Sequence, residues 1–370
     1  MNCWRTEFFT DMKSFSHRLL VLILVGTALA ACCVAWNGLA RAAATPGYKL
    51  TSTMKLGGEG GWDYATLDAA GKFLYVTRTT HTMVVDAATG KAVHDIAGQV
   101  RSHGVALVPA AGRGFISDGK LGEVLVFDLN SGVALGKIPA ADDADSIIYD
   151  PASNRVLVFC GDAHRMVAIA PDVDPKGGVA AATVDLRGSP EFAVADGRGR
   201  VFVNIADRDE VAVVDTKQMK LIARWPTGPG QRPTGMAMDR AARRLFVGCR
   251  NQKLVVMNAD DGKIVAAFPI GAGVDATAFD DGMVFASCAD GTLTIVREVS
   301  ADKFELAQTV QTEMGARTMA VDAHSGTVYL PTADLTIPPS GAGSSAHQRP
   351  IPVAGTFRIL VVTRGAAGRK

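Results

Sequence analysis

Seven returns of one unit of four short strands, spaced 41 to 46 residues apart, predict an all-β fold: a seven-bladed β-propeller of four-stranded antiparallel blades. Three observations carry the prediction. The cleanest copy, residues 229–271, divides into apolar runs at Thr234–Met238, Arg244–Cys249, Leu254–Asn258 and Ile264–Ile270. Polar or Gly-containing turns separate these runs, as hairpin-connected strands require. The residue ending the first strand recurs as Asp68, Pro109, Asp150, Asp196, Asp239, Asp280 and Asp322, with successive differences of 41, 41, 46, 43, 41 and 42. Finally, Tyr48–Leu56 has strand character ahead of the first copy, while the last copy supplies only three strands, Thr318–Val321, Thr327–Pro331 and Phe357–Val362. The N-terminal strand is therefore expected to complete the last blade and close the ring, which leaves only short edges exposed.

Residues 1–44 stand outside the repeat. Lys13 and Arg18 precede the apolar Leu19–Val25, and Ala42, Ala43 and Ala44 offer a small-residue cleavage site, so 1–44 reads as a secretory signal peptide. Leu29-Ala30-Ala31-Cys32 also resembles the lipobox of bacterial lipoproteins, which would end the signal before Cys32 and put a lipid there. Leu19–Trp36 is marginal for a membrane span, since Gly26 and Thr27 interrupt it. The expected location is periplasmic or otherwise exported, with the membrane reached only through such a lipid anchor.

The propeller then occupies 45–370. Its blades are expected at 57–98, 99–140, 141–188, 189–228, 229–271, 272–312, and 313–365 together with 48–56. In the first two blades, Asp86–Lys91 and Asp128–Gly132 read as hairpin turns, and Asp215 recurs at the same place in the fourth. Cys160, Cys249 and Cys288 end the second strand of blades 3, 5 and 6. Equivalent positions in separate blades are too far apart for a disulfide, and three thiols leave one over, so all three read as packing residues. In the last blade, residues 333–354 break the rhythm with a Pro/Gly/Ser-rich insertion between the second and third strands, either a loop or a partial lid.

Removing residues 1–44 takes away four basic and two acidic side chains and leaves 34 against 35, a formal charge of −1. That balance argues against a nucleic-acid surface. About 326 residues would be long for one compact core, but a ring of blades accommodates them as a single domain, and a monomer is expected.

The position five residues before each strand-ending residue reads Asp63, Gly104, Asp145, Glu191, Thr234, Asp275 and Arg317. In a propeller this position begins the innermost strand, so the seven should form a crown around one mouth of the axial channel. An apolar repeat does not require four carboxylates and a guanidinium in register. His103 lies one residue before the blade-2 position; Arg78, His81, His164, Arg165 and Arg250 are expected in loops on the same face. Such a crown would bind a polar ligand or a divalent cation, or supply a general acid or base, because crowded carboxylates have separated pKa values. No G-x-S-x-G, H-E-x-x-H, P-loop or Rossmann fingerprint is present.

Phe73-Leu74-Tyr75-Val76-Thr77, with Val84-Val85-Asp86-Ala87-Ala88-Thr89-Gly90-Lys91, resembles the YVTN-type propeller repeat. Gly60-Gly61-Trp62-Asp63-Tyr64, Pro190–Asp196, Gly273–Thr277 and Gly315–Met319 are similar to exported bacterial propellers called YncE-like. The resemblance covers about 48–365 and implies fold and export rather than an activity; it adds Trp62 to the candidate ligand residues. DNA binding has been ascribed to a member of that group, which the charge here does not favour. Lactonase-type propellers also resemble this chain at the level of fold, and would imply His103 as base, Glu191 as acid and Arg317 as anion clamp.

The expected function is therefore a ligand- or partner-binding module. Its candidate residues are Trp62, Asp63, His81, His103, Asp145, Glu191, Thr234, Asp275 and Arg317, and its partner a small polar ligand or a protein. A lactonase-like or isomerase-like enzyme using the same face is the alternative, and an interaction scaffold the second.

Overall fold

The computed structural model describes residues 47–337 and 350–365; the expected signal peptide, Cys32, the cleavage site at Ala44 and the middle of the inserted loop lie outside them. Antiparallel strands form seven four-stranded blades, a seven-bladed β-propeller; the single helical element among the described residues is a 3-10 turn at Pro109–Ala111. Blade 4 is typical: Pro190–Ala195, Arg200–Ile205, Glu210–Asp215 and Lys220–Pro226 pair in sequence order from channel to rim. Its middle strands are near-continuous apolar runs because neighbouring blades cover both their faces, whereas the outer strand alternates toward solvent. Phe202 of this blade packs with Leu245 and Val247 of the next, and Val201 and Val203 with Leu157 and Phe159 of the previous one.

The closure expected from the sequence is present. Tyr48–Lys55 pairs with Arg358–Arg364, which pairs with Thr327–Thr332 and, through it, with Ala320–Asp322. At one boundary the strand does not break: Lys91–Val108 is a single strand of 18 residues that runs through residues 98 and 99. Its first half is the outer strand of blade 1 and pairs inward with Thr79–Asp86, and its second half is the inner strand of blade 2 and pairs outward with Arg113–Asp118, with register shifts flanking the join.

The recurrent aspartates hold turns. Asp68 accepts hydrogen bonds from the backbone N–H of Lys72 and Phe73, Asp196 from Arg198 and Arg200, and Asp239 from Ala241 and Ala242. Asp86, Asp128 and Asp215 do the same after the third strand. Cys160, Cys249 and Cys288 are free and buried, and burial pushes each thiol up to about 12.

Small polar side chains stitch each blade to the next. Thr77 Oγ1 donates to His103 O at 2.8 Å, Ser117 Oγ to Asp145 O, and Ser146 Oγ to Glu191 O at 2.7 Å. Asn204 Nδ2 donates to Thr234 O at 2.9 Å, and Thr234 Oγ1 to Val274 O at 2.8 Å. Ser287 Oγ reaches Arg317 O at 2.6 Å, and Thr318 Oγ1 returns to Asp63 O at 2.8 Å. The seven donors are fully buried, and their bonds run once around the ring. Gly235 permits this closeness: a Cβ there would stand 2.7 Å from Thr277 N of the next inner strand.

Candidate functional site

The belt's acceptors belong largely to the crown itself, so it fixes the backbone from which the candidate side chains project. The inner strands are also irregular at that point. Register shifts occur between Ser102 and Val105, Val158 and Cys160, Pro190 and Ala193, Pro233 and Met236, and Val274 and Ala276. Bulges of this kind re-aim a side chain, here away from the blade-to-blade core.

The structure brings Asp63, His103, Asp145, Glu191, Asp275 and Arg317 to one mouth. The charges of Asp145, Asp275, Glu191 and Asp63 all act on the Tyr64 phenol; after burial, which contributes most, they raise its pKa well above 10.0. His103 Nδ1 stands 2.6 Å from Asp63 Oδ2 and 3.4 Å from Asp145 Oδ1. The second contact is an ion pair without hydrogen-bond geometry, and both Asp145 Oδ1 and His103 Nε2 are buried with no hydrogen-bond partner among the described residues. Burial lowers the histidine's proton affinity, but the hydrogen bond to Asp63 and both carboxylate charges outweigh it and bring the pKa to about 9. Burial holds the Asp145 carboxyl well above its ordinary range, with His103 opposing.

Across the mouth, Asp275 Oδ2 accepts from Arg317 Nε at 2.7 Å and Asp275 Oδ1 from Arg250 Nη2 at 3.0 Å. One carboxylate therefore serves two guanidiniums, whose side chains remain 32% and 42% exposed. Arg317 also donates through Nη2 to Trp62 O at 3.1 Å and lies over the Trp62 ring at 5.6 Å. The Glu191 carboxylate has no hydrogen-bond partner among the described residues; burial and then the charge of Asp275 push it up to about 7, with Arg250 opposing.

Three candidates take other roles. Thr234 is fully buried, its hydroxyl spent in the belt. His81 lies in strand Thr79–Asp86 rather than a loop, 3.8 Å from Asp95 on the blade's outer strand. Arg78 is fully buried, donating to the carbonyls of Gly57, Glu59, Gly60 and Gly61 and stacked 3.6 Å from the Phe357 ring centre. It is a structural pin, and burial lowers its pKa to about 10. His164 meets Ser189 at 3.3 Å.

Other residues complete the mouth. Tyr64 and Phe192, from blades on opposite sides of the ring, meet at a 5.0 Å centroid distance and stopper the channel. They follow Asp63 and Glu191 by one residue, so shifting the repeat register by one would have shown them. A cavity of about 640 Å³, lined by Leu67, Leu107, Ile148 and Tyr149, continues on the far side of this pair. Asp143, with a left-handed φ of 57°, pairs with Arg101 at 3.0 Å, and nothing in the repeat register marks either residue. Gly119 leaves room for the imidazole, since a Cβ there would stand 2.8 Å from His103 Nε2.

Asp63, His103 and Asp145 each offer a donor atom, all within 4.8 Å of one another, and would be the residues to hold a divalent cation. At neutral pH the imidazolium stands between those carboxylates, and a cation would have to displace its proton.

No family model and no curated protein matches the chain. Among solved structures it is similar to one titled Kuenenia stuttgartiensis hydrazine synthase, with a TM-score of 0.60 and 12% identity, covering 73% of this chain and 92% of that one. At such identity the likeness speaks for the fold alone.

Proposed function

We propose that this propeller is a binding module that takes a small dipolar ligand into the channel mouth. A carboxylate of the ligand meets Arg250 and Arg317, and a cationic group meets Asp145, Glu191 and Asp63. One observation carries the reading: Asp275 is shared by two partly exposed guanidiniums, while among the described residues the Glu191 carboxylate and Asp145 Oδ1 accept no hydrogen bond. The two halves adjoin, with Arg317 Nη2 3.9 Å from Asp63 Oδ1. Burial of the carboxylates strengthens each charge–charge contact relative to water.

Calorimetry with L-alanine, propionate and ethylamine tests it. Alanine is expected to bind at least about tenfold tighter than either singly charged analogue, the loss of one charge-assisted contact. Equal affinity for an analogue, or no heat from any of the three, refutes it.

The same reading takes the chain as an exported, YncE-like propeller, which N-terminal sequencing of the secreted protein checks. A second reading is favoured by Glu191, which stands near neutrality at about 7. In acid–base catalysis the roles expected from lactonase-type propellers would be reversed, His103 being the acid and Glu191 the base. Turnover of a lactone panel, lost in Glu191→Gln, would favour that reading; no turnover by the wild type would exclude it for those substrates.

A further inference from the structure

A recess of about 380 Å³ opens beside the crown, within the range of small-molecule sites. Trp62, Met314, Arg317, Leu335, Pro350 and Pro352 line it. Two of these, Trp62 and Arg317, belong to the mouth as well, so recess and crown are continuous. The others are apolar, and three come from the base of the inserted loop. That base is a built wall: Leu335 pairs with Pro352 and Thr336 with Ile351, Val353 N donates to Asp334 O at 2.8 Å, and Gly355 N to Gly58 O at 2.8 Å. Arg358 Nη2 clamps Asp334 at 2.8 Å. Met314 is 69% exposed at the recess edge, and the Trp62 indole N–H is buried without an acceptor among the described residues.

Resting on the dipolar-ligand reading above, we infer that the recess takes the side chain of the ligand, and that the ligand class is an α-amino acid with a large apolar or aromatic side chain. The chemistry is complementary at both ends. An α-carboxylate on Arg317 brings the α-carbon beside the guanidinium. From there a side chain enters the recess over the Trp62 face, and the α-ammonium turns toward Asp63 and Asp145. An aliphatic or aromatic group fits the Leu, Met and Pro walls; a charged one would be desolvated there without a partner. The base of the inserted loop, through Leu335, Pro350 and Pro352, thus sets side-chain specificity, and the crown holds the invariant part of the ligand.

The test is calorimetry with L-phenylalanine and L-alanine on the full chain and on two variants: Ala289→Phe, which fills the recess because Ala289 also lines it, and Leu335→Ala, which removes a wall. Burying a benzyl group is expected to make phenylalanine bind roughly 10- to 100-fold tighter than alanine. In both variants that ratio should fall toward one; a ratio within one preparation is insensitive to partial misfolding. Equal affinity of the wild type for the two amino acids overturns the recess assignment and leaves the dipolar reading standing. Binding of neither overturns both. A preference for phenylalanine that survives both substitutions also overturns it.

Discussion

Glu191→Gln should make the protein more stable at alkaline pH and leave it unchanged in acid. In the folded chain the carboxyl titrates at about 7 against an ordinary 4.5, because burial and the neighbouring Asp275 disfavour its charge. Between those values the native state holds a proton that the unfolded chain has released, so stability falls as pH rises through the interval. A difference of that size corresponds to a ceiling of ~3 kcal/mol at pH 8, with almost nothing lost at pH 4. Glutamine keeps the shape and cannot ionise, so the variant lacks this decline. With an unfolding entropy of about 2.1 cal/mol/K per residue, ~3 kcal/mol in a ring of this size is worth roughly 4–5 °C. Thermal or urea unfolding of both proteins at pH 4, 6, 7 and 8 reads the difference directly. A gap that does not change with pH, or a variant less stable than the wild type at pH 8, would refute the reasoning. The latter would mean that Arg250 stabilises the ionised carboxylate more than burial opposes it.

Thr234→Val removes a fully buried belt donor and should cost about 1–3 kcal/mol in urea unfolding. Thr234→Asp, which would merely extend the acidic crown if register alone decided, puts a carboxylate against Val274 O and should cost more than the valine. Gly119→Ala places a methyl against His103 Nε2 and should lower the histidine's pKa from about 9, read as the pH midpoint of its imidazole NMR signal. Cys160, Cys249 and Cys288, buried with thiols near 12, should resist iodoacetamide at pH 8 until the protein is unfolded, as mapped by mass spectrometry.

What could be read in advance was whatever obeys the repeat. Seven strand-ending positions fixed the number of blades, and the missing fourth strand of the last blade pointed to Tyr48–Lys55. Counting back five residues found Asp63, Asp145, Glu191, Asp275 and Arg317, because every inner strand enters the channel at that point. The same count failed for Thr234, and reading His81 as a loop residue failed too. Arg78 does lie in the loop expected of it, yet four carbonyls near Gly60 and the Phe357 ring enclose it. Those partners come from a glycine-rich turn and from the far end of the chain, and no local pattern announces them. Arg250, expected in a loop on this face, does come from a turn there; what the register did not show is its partner, since it converts Asp275 from a lone acid into the bridge between two guanidiniums.

The belt explains why one crown position is spent on structure. At the fifth residue of the second strand, Thr77, Ser117, Asn204 and Ser287 carry a donor, and each reaches a carbonyl on the next blade. Blades 3, 5 and 7 have Phe159, Gly248 and Pro331 at that place and no side-chain donor to offer. In those three blades the first strand supplies the bond instead, through Ser146, Thr234 and Thr318. In blades 3 and 7 the substitute stands one residue after the crown position, so Asp145 and Arg317 keep their side chains for the mouth. In blade 5 it is the crown residue itself. Thr234 is therefore a consequence of Gly248: a side chain there would meet Thr277 Oγ1 at 2.7 Å, so the donor has to come from the inner strand. A gap in the ring of charges and a closure in the ring of hydrogen bonds are one event. It leaves the acids of blades 1, 3 and 4 on one side of the mouth and the guanidiniums of blades 5 and 7 on the other, which is the asymmetry a dipolar ligand requires.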